Sequence, residues 1–336
     1  MNVSGRIFDN VCETIFLIQI IHVNFQPLRP KGFYQKKMEK KDVLKSMNNQ
    51  KQTKSRFIVM PFQPAYPKGY DRIGMGLHFM LGNIMAVQNL LKEFWFGWRV
   101  NKIFKDQQAL ALFCQGEKCL DNIALLAKEQ EIQYWLKGRY SLDNDLIILN
   151  LTLSNFNGNQ EEYTKKFIVD LSDNLIGFRN KFIDWLGAFS LPFDQNQLEK
   201  IMWPENITME GLNFLGHSMA ATYMNYVDTK KDKDPIDLTF FEKAVLASPE
   251  SYLAWDMKGW GFYKNKDYKE AENAFLKAIA FNKDGLGALS GLMWCYIFTN
   301  NKELAKKFAI AKADVRNENH EKAKTFVKNK INTIFK

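Results

Sequence analysis

Apolar side chains follow two rhythms along this chain. Short aliphatic and β-branched runs with a period of two dominate up to about residue 190, and a three-to-four spacing dominates from about residue 207 onward. Arg56–Phe62 (RFIVMPF) predicts a buried strand stopped by Pro61 and Pro64, and Ile73–Leu91 predicts a helix. Its broad apolar face comprises Ile73, Leu77, Met80, Leu81, Ile84, Met85 and Val87. Phe94–Val100 predicts a second strand, and Asp106–Gln130 one or two helices broken near Gly116. Glu131–Tyr140 and Asp145–Phe156 read as a hairpin turning at Leu142-Asp143-Asn144. In its second strand Ile147, Leu149, Leu151 and Leu153 share one face, and Asn150, Thr152 and Ser154 the other, so one side should be covered and one more polar. Tyr163–Asp170 continues as a third strand and Leu171–Phe189 as an amphipathic helix, which makes an α/β layer domain of two βα units, a meander and a helix.

The helical part is periodic. Tyr252–Gly285 is a unit of 34 residues with Trp255, Gly259, Phe262, Ala271, Phe275 and Ala278 at positions 4, 8, 11, 20, 24 and 27. One period later come Leu289, Met293, Tyr296, Ala305, Ala309 and Lys312, and one period earlier Phe241, Ala244 and Pro249 match the end of a preceding unit. The small residues Gly259 and Ala271 suit points where two helices touch, and the large rings fill space between neighbouring pairs. Lys264-Asn265-Lys266-Asp267 supplies the tight turn, Thr208–Val227 an earlier first helix with an enlarged charged turn at Thr229–Pro235, and Glu318–Phe335 a Lys-rich capping helix.

With that length and those positions, residues 207–336 resemble the tetratricopeptide (TPR) family of helix-pair solenoids. The resemblance implies a concave face built by first-helix positions. Carried across, these are Leu253, Asp256, Trp260, Tyr263 and Lys264, then Ser290, Trp294, Ile297 and Phe298. Of these, Asp256, Trp260, Tyr263, Lys264, Trp294 and Phe298 are the candidate partner-binding residues, an aromatic groove with a lysine suited to an extended peptide or a partner helix. The same aromatics have the alternative of packing internally.

Residues 56–191 carry a second resemblance. Val59-Met60-Pro61-Phe62, Leu136-Lys137-Gly138 and the Phe167–Phe182 stretch look like the first strand, a later strand end and the following segment of the TolB-amino-terminal-like domain. In that family the domain precedes TPR repeats in bacterial CadC-type regulators and beside some class III adenylate cyclases.

Charge changes the picture little. The 336-residue chain has a formal net charge of +9, but 11 basic against 4 acidic residues fall within Met1–Arg56, so the remainder is close to neutral. Residues 1–55 therefore read as a basic, disordered leader, or as sequence ahead of a true start at Met38 or Met47, and no nucleic-acid partner is expected. The leader's most apolar run, Ile15–Phe25, is about half the length a bilayer-spanning helix needs.

Cys12, Cys114, Cys119 and Cys295 do not form a secreted-type disulfide framework, and Cys114 and Cys119 lack the companions of a zinc site. Gly74-Met75-Gly76 lacks the third glycine of a dinucleotide fingerprint, Phe79 standing there, so the glycines are assigned to close helix packing. His22, His78, His217 and His320 make no ligand motif, Gly216-His217-Ser218 is no nucleophile elbow, and Glu161-Glu162 and Asp143/Asp145 read as solvated turn charges.

The sequence thus predicts an α/β domain with a mixed sheet (56–191), a linker (192–206) and an all-α TPR solenoid with a capping helix (207–336). The expected role is a non-enzymatic adaptor without cofactor or metal, binding a protein or peptide partner, of undetermined oligomeric state. Placement is in the cytoplasm, with a periplasmic or membrane-associated envelope factor as the alternative.

Overall fold

The computed structural model describes residues 57–59, 62–65, 72–87, 133–155, 161–173, 175–189, 206–227 and 234–335. The expected leader, the strand at Phe94–Val100, the helices within Asp106–Gln130, most of the 192–206 linker and Cys12, Cys114 and Cys119 lie outside these residues.

Strands β1 (Phe57–Val59) and β2 (Gln63–Pro64) both run parallel to β3 (Tyr134–Asp143), which continues antiparallel into β4 (Leu146–Asn155) and β5 (Glu162–Asp170). The sheet order is β1-β3-β4-β5, with β2 following β1 along the same edge of β3. The predicted Arg56–Phe62 strand is therefore two short pieces. The β3–β4 turn is Asn144-Asp145, one residue later than expected, because Asp143 still pairs with Leu146. Asn144 takes the left-handed conformation (φ 52°), which asparagine tolerates better than most residues.

Alternation decides the two faces. Leu136, Tyr140, Ile147, Leu149, Leu151, Leu153, Phe167 and Val169 are buried on one side, whereas Arg139, Asn150, Thr164 and Lys166 are exposed on the other. Ser154 departs from the expected polar, open face: it is buried and donates to Glu162 Oε1 at 2.8 Å, the oxygen that also meets Lys137 Nζ at 2.7 Å. These bonds, Lys137 first, hold the Glu162 carboxyl below its usual range, so it is a paired group and not a merely solvated one. Helix α2 (Ile176–Gly187) closes the apolar face, with Phe178, Phe182 and Trp185 ringed around Phe167 at 5.5, 6.2 and 5.5 Å. It starts later than the periodicity predicted, after a turn whose Asp173 carboxylate accepts the Gly177 N–H at 2.9 Å.

Helix α1 (Ile73–Val87) is buried on every side over its first ten residues, which marks a helix lying between two layers. One neighbour is the β1–β2 edge and the other is helix α3 (Met209–Val227). Glycine makes both approaches feasible. A Cβ on Gly74 would sit 1.8 Å from the Phe62 carbonyl oxygen, and one on Gly76 would sit 2.4 Å from that of Leu212. From the α3 side, a Cβ on Gly216 would fall 1.8 Å from the Arg72 carbonyl oxygen, while Asn213 Oδ1 accepts the Arg72 N–H at 2.7 Å. The glycines at 74 and 76 thus serve packing, as their sequence context predicts.

Beyond α3 the described chain is helical: α4 (Thr239–Ala247), α5 (Tyr252–Lys264), α6 (Tyr268–Phe281), α7 (Leu286–Phe298), α8 (Lys302–Val315) and α9 (His320–Ile334). Each packs on the next; α5 also touches α3 and α7, and α7 also touches α9 and α1. One apolar core runs from the sheet through α1 into these helices. Their boundaries repeat. Helices α5, α7 and α9 begin 34 residues apart at Tyr252, Leu286 and His320, and α6 and α8, each of 14 residues, begin 34 apart at Tyr268 and Lys302. The left-handed turn residues Lys266 and Asn300 keep the same interval. Among the described residues no helix is long and apolar enough to cross a membrane.

The Gly216 contact is testable. Gly216→Ala should destabilise the chain by about 1–3 kcal/mol, as overpacking against backbone does. Gly187→Ala, whose added Cβ meets nothing within 4 Å, should cost nothing. Urea unfolding of the two variants side by side provides the comparison, and equal midpoints would contradict the packing described.

Candidate interaction site

The helices that hold the sequence-predicted groove are locked around one ring. Phe275 of α6 is fully buried, and added Cβ atoms on Gly259 (α5) and Gly291 (α7) would lie 2.5 and 2.2 Å from its ring atoms. Three helices therefore meet at van der Waals distance on a single phenyl group.

Four of the six predicted groove residues, Trp260, Tyr263, Trp294 and Phe298, form one chain of rings, and half of the six are buried. Asp256, Tyr263 and Trp294 are covered, and Trp260, Lys264 and Phe298 keep partial exposure; Leu253, Ser290 and Ile297 of the same face are buried too. The aromatics pack edge to face with one another: Trp260 meets Tyr263 at 5.4 Å and Phe275 at 5.2 Å, Tyr263 meets Phe298 at 6.0 Å, and Phe298 stacks on Tyr268 at 5.3 Å. Helix α9 lays Phe326 against Trp294 at 5.7 Å and Lys330 over the same indole at 6.0 Å. Among the described residues neither Trp294 Nε1 nor Ser290 Oγ, one turn apart on α7, has a hydrogen-bond partner.

Asp256 has a structural task that the groove assignment missed. Helix α7 begins at Gly285 without a side-chain cap, unlike α5 and α9, which are capped by Ser251 and Asn319. Helix α5 supplies the missing groups. Tyr252 Oη accepts the Ala288 N–H at 3.1 Å, and the Asp256 carboxylate lies so close over Gly287 that a Cβ there would be 2.3 Å away. A carboxylate beside a helix N-terminus is favourably placed in the field of its unpaired N–H groups. Tyr252→Phe should thus destabilise the chain by about 1–3 kcal/mol, the range for a buried N–H left unpaired. Guanidinium unfolding measures it, and a loss below the experimental error would refute the capping role.

Other reactive residue types are held in quiet surroundings. His78 is buried within α1, and His217 stacks on Phe240 at 4.4 Å. The Cys295 thiol is buried, and desolvation raises its pKa far above the usual thiol range, which removes the thiolate at neutral pH. Lys312, half-buried in the last turn of α8, is pushed down to about 7 by desolvation and the adjacent Arg316, against the pull of Glu318. The unfolded chain keeps that proton up to the ordinary value of 10.5, so it binds more protons than the native state between about 7 and 10.5, and stability rises with pH across that window. Lys312→Met should accordingly stabilise the chain most below pH 7 and lose most of that advantage by pH 10. Denaturant midpoints at the two ends of the window decide it, and a gain independent of pH would count against it.

A second surface, outside the residues predicted from the sequence, lies between α5 and α6. It is an open groove of about 530 Å³ lined by Trp255, Lys258 and Phe262 on one wall and by Asn273, Leu276 and Lys277, among others, on the opposite wall. Trp255 is fixed by donating from Nε1 to the Pro249 carbonyl at 2.8 Å. Lys258 lies 5.5 Å over the Trp255 ring and 5.7 Å over Phe262. The sequence signal was available: a lysine three residues after one aromatic and four before another puts all three on one helix face. Positional likeness instead assigned both rings to gap filling between pairs.

No protein-family model matches this chain, and no curated protein does.

Proposed function

We propose that the protein is a non-enzymatic interaction module, a TPR-type helical solenoid joined to a TolB-amino-terminal-like α/β domain, which acts as an adaptor or accessory component of a bacterial regulatory system. The observation that carries this reading is the 34-residue recurrence of helix starts and left-handed turn residues from Tyr252 to His320. Such stacked pairs form extended surfaces, which in repeat proteins serve recognition. Support for the α/β half comes from the parallel β1–β3 pair followed by the β3–β4–β5 meander and a covering helix.

A protein or peptide partner fits this reading better than a small substrate. The partly exposed Trp260, Lys264 and Phe298 remain available to such a partner, while Asp256, Tyr263 and Trp294 support the face from beneath. The cytoplasm is the compartment we assign.

Chemical crosslinking of the full chain in the cells that make it, followed by mass spectrometry, tests the proposal. A second polypeptide should crosslink to lysines within 239–335. Recovery of the chain without a polypeptide partner, or crosslinks confined to the sheet domain, would overturn it.

A further inference from the structure

The groove between α5 and α6 combines three properties that together define an occupant. Its floor is apolar: Trp255 and Phe262 are only partly buried, and Leu276 on the facing helix is 40% exposed. Its long axis runs along α5 from Trp255 to Phe262, about 10 Å at the rise of an α-helix, or two turns. Its charge is one-sided, because Lys258 and Lys277 both line it without a carboxylate partner among the described residues, Lys258 resting on the two rings. The acidic lining residue, Glu270, sits at the Phe262 end and accepts from Asn273 Nδ2 at 3.3 Å.

The basic character extends past the groove. Trp255 packs with Phe214 onto Ala244, Val245 and Ala254, and Lys243 stands 5.6 Å over Phe214 and 5.8 Å over Phe240. Two lysines, Lys243 and Lys258, thus stand over aromatic rings on neighbouring helices, and with Lys277 lining the groove the Trp255 end is the basic end. Cationic side chains over half-exposed rings present apolar area and positive charge to one partner at once.

We infer that this groove docks an acidic amphipathic helix from a protein partner, one whose bulky apolar residues at i, i+3/i+4 and i+7 fill the space over Trp255, Phe262 and Leu276. Its Asp or Glu residues lie toward Lys243, Lys258 and Lys277, and its end nearest Glu270 carries none. Helix-in-groove recognition uses this anchor spacing, and complementary charge sets orientation and encounter rate. The inference rests on the interaction-module reading and names for it a site on the opposite flank of α5 from the aromatic face around Trp260.

The test uses the full chain and a displayed library of peptides of about 14 residues, four helical turns. Each peptide has apolar residues at the four anchor positions and random residues elsewhere. Selection should enrich peptides with net negative charge, and their binding, read by fluorescence anisotropy, should weaken as salt is raised. Lys258→Glu combined with Lys277→Glu, and separately Leu276→Asp, should each weaken binding by about tenfold or more while melting curves show the fold retained. Lys328→Glu, on the exposed side of α9 and away from the groove, should leave it unchanged. Enrichment of neutral or basic peptides, binders indifferent to the groove variants, or no enrichment would each overturn the assignment. Binders that respond to Lys328→Glu instead would sink the groove and leave the interaction-module reading standing. The crosslinking experiment judges that broader reading independently.

Discussion

The ring of Phe275 is the fixed point of the helical half of this protein. It is held between Gly259 and Gly291, so α5, α6 and α7 cannot separate without exposing it or approach without overlapping it. Full burial of such a side chain is worth about 1.5–3 kcal/mol, and the close packing around it adds dispersion contacts of similar importance. Because α7 is seated by this contact, its N-terminus falls under Tyr252 and Asp256 and its far end under Phe326 of α9. That seat sets the spacing of the remaining helices.

Glycine plays a related part where the two halves meet. Helix α1 belongs to the sheet domain by sequence order, yet Gly76 and Gly216 let it lie against α3 as closely as two backbones can approach, with Asn213 of α3 accepting the Arg72 N–H just ahead of its first turn. The sequence pattern changes at about residue 207. The core nevertheless crosses it without a break. A helix that is apolar on all sides already carried that information, since it needs cover on both flanks.

Much of the fold was legible because it depends on local periodicity. The alternation in Ile147–Leu153 revealed the buried face of β4, and the 34-residue spacing located the helix pairs to within a few residues. What escaped depends on contacts between distant residues. The bonding of Ser154 to Glu162 overrode its place on the polar face, and the missing cap at Gly285 gave Asp256 a role that no spacing rule assigns. Burial of Trp294 under α9 depends on where the last helix lands, so the sequence offered internal packing of that ring only as an alternative to partner binding. The basic aromatic strip at Trp255, Lys258 and Phe262 was written plainly at helical spacing but was masked by family positions that assign those rings to packing.

Asn265, at the α5–α6 turn, both donates to the Ile236 carbonyl and accepts the Ile236 N–H, at 2.9 and 2.7 Å, so the entry to α4 is anchored by a side chain nearly thirty residues downstream. The α4 helix is thereby tied to the downstream α5–α6 turn as well as to α3, on which it packs. One asparagine therefore joins two successive helix pairs, so a change at that turn is felt at the entry to α4 as well as between α5 and α6.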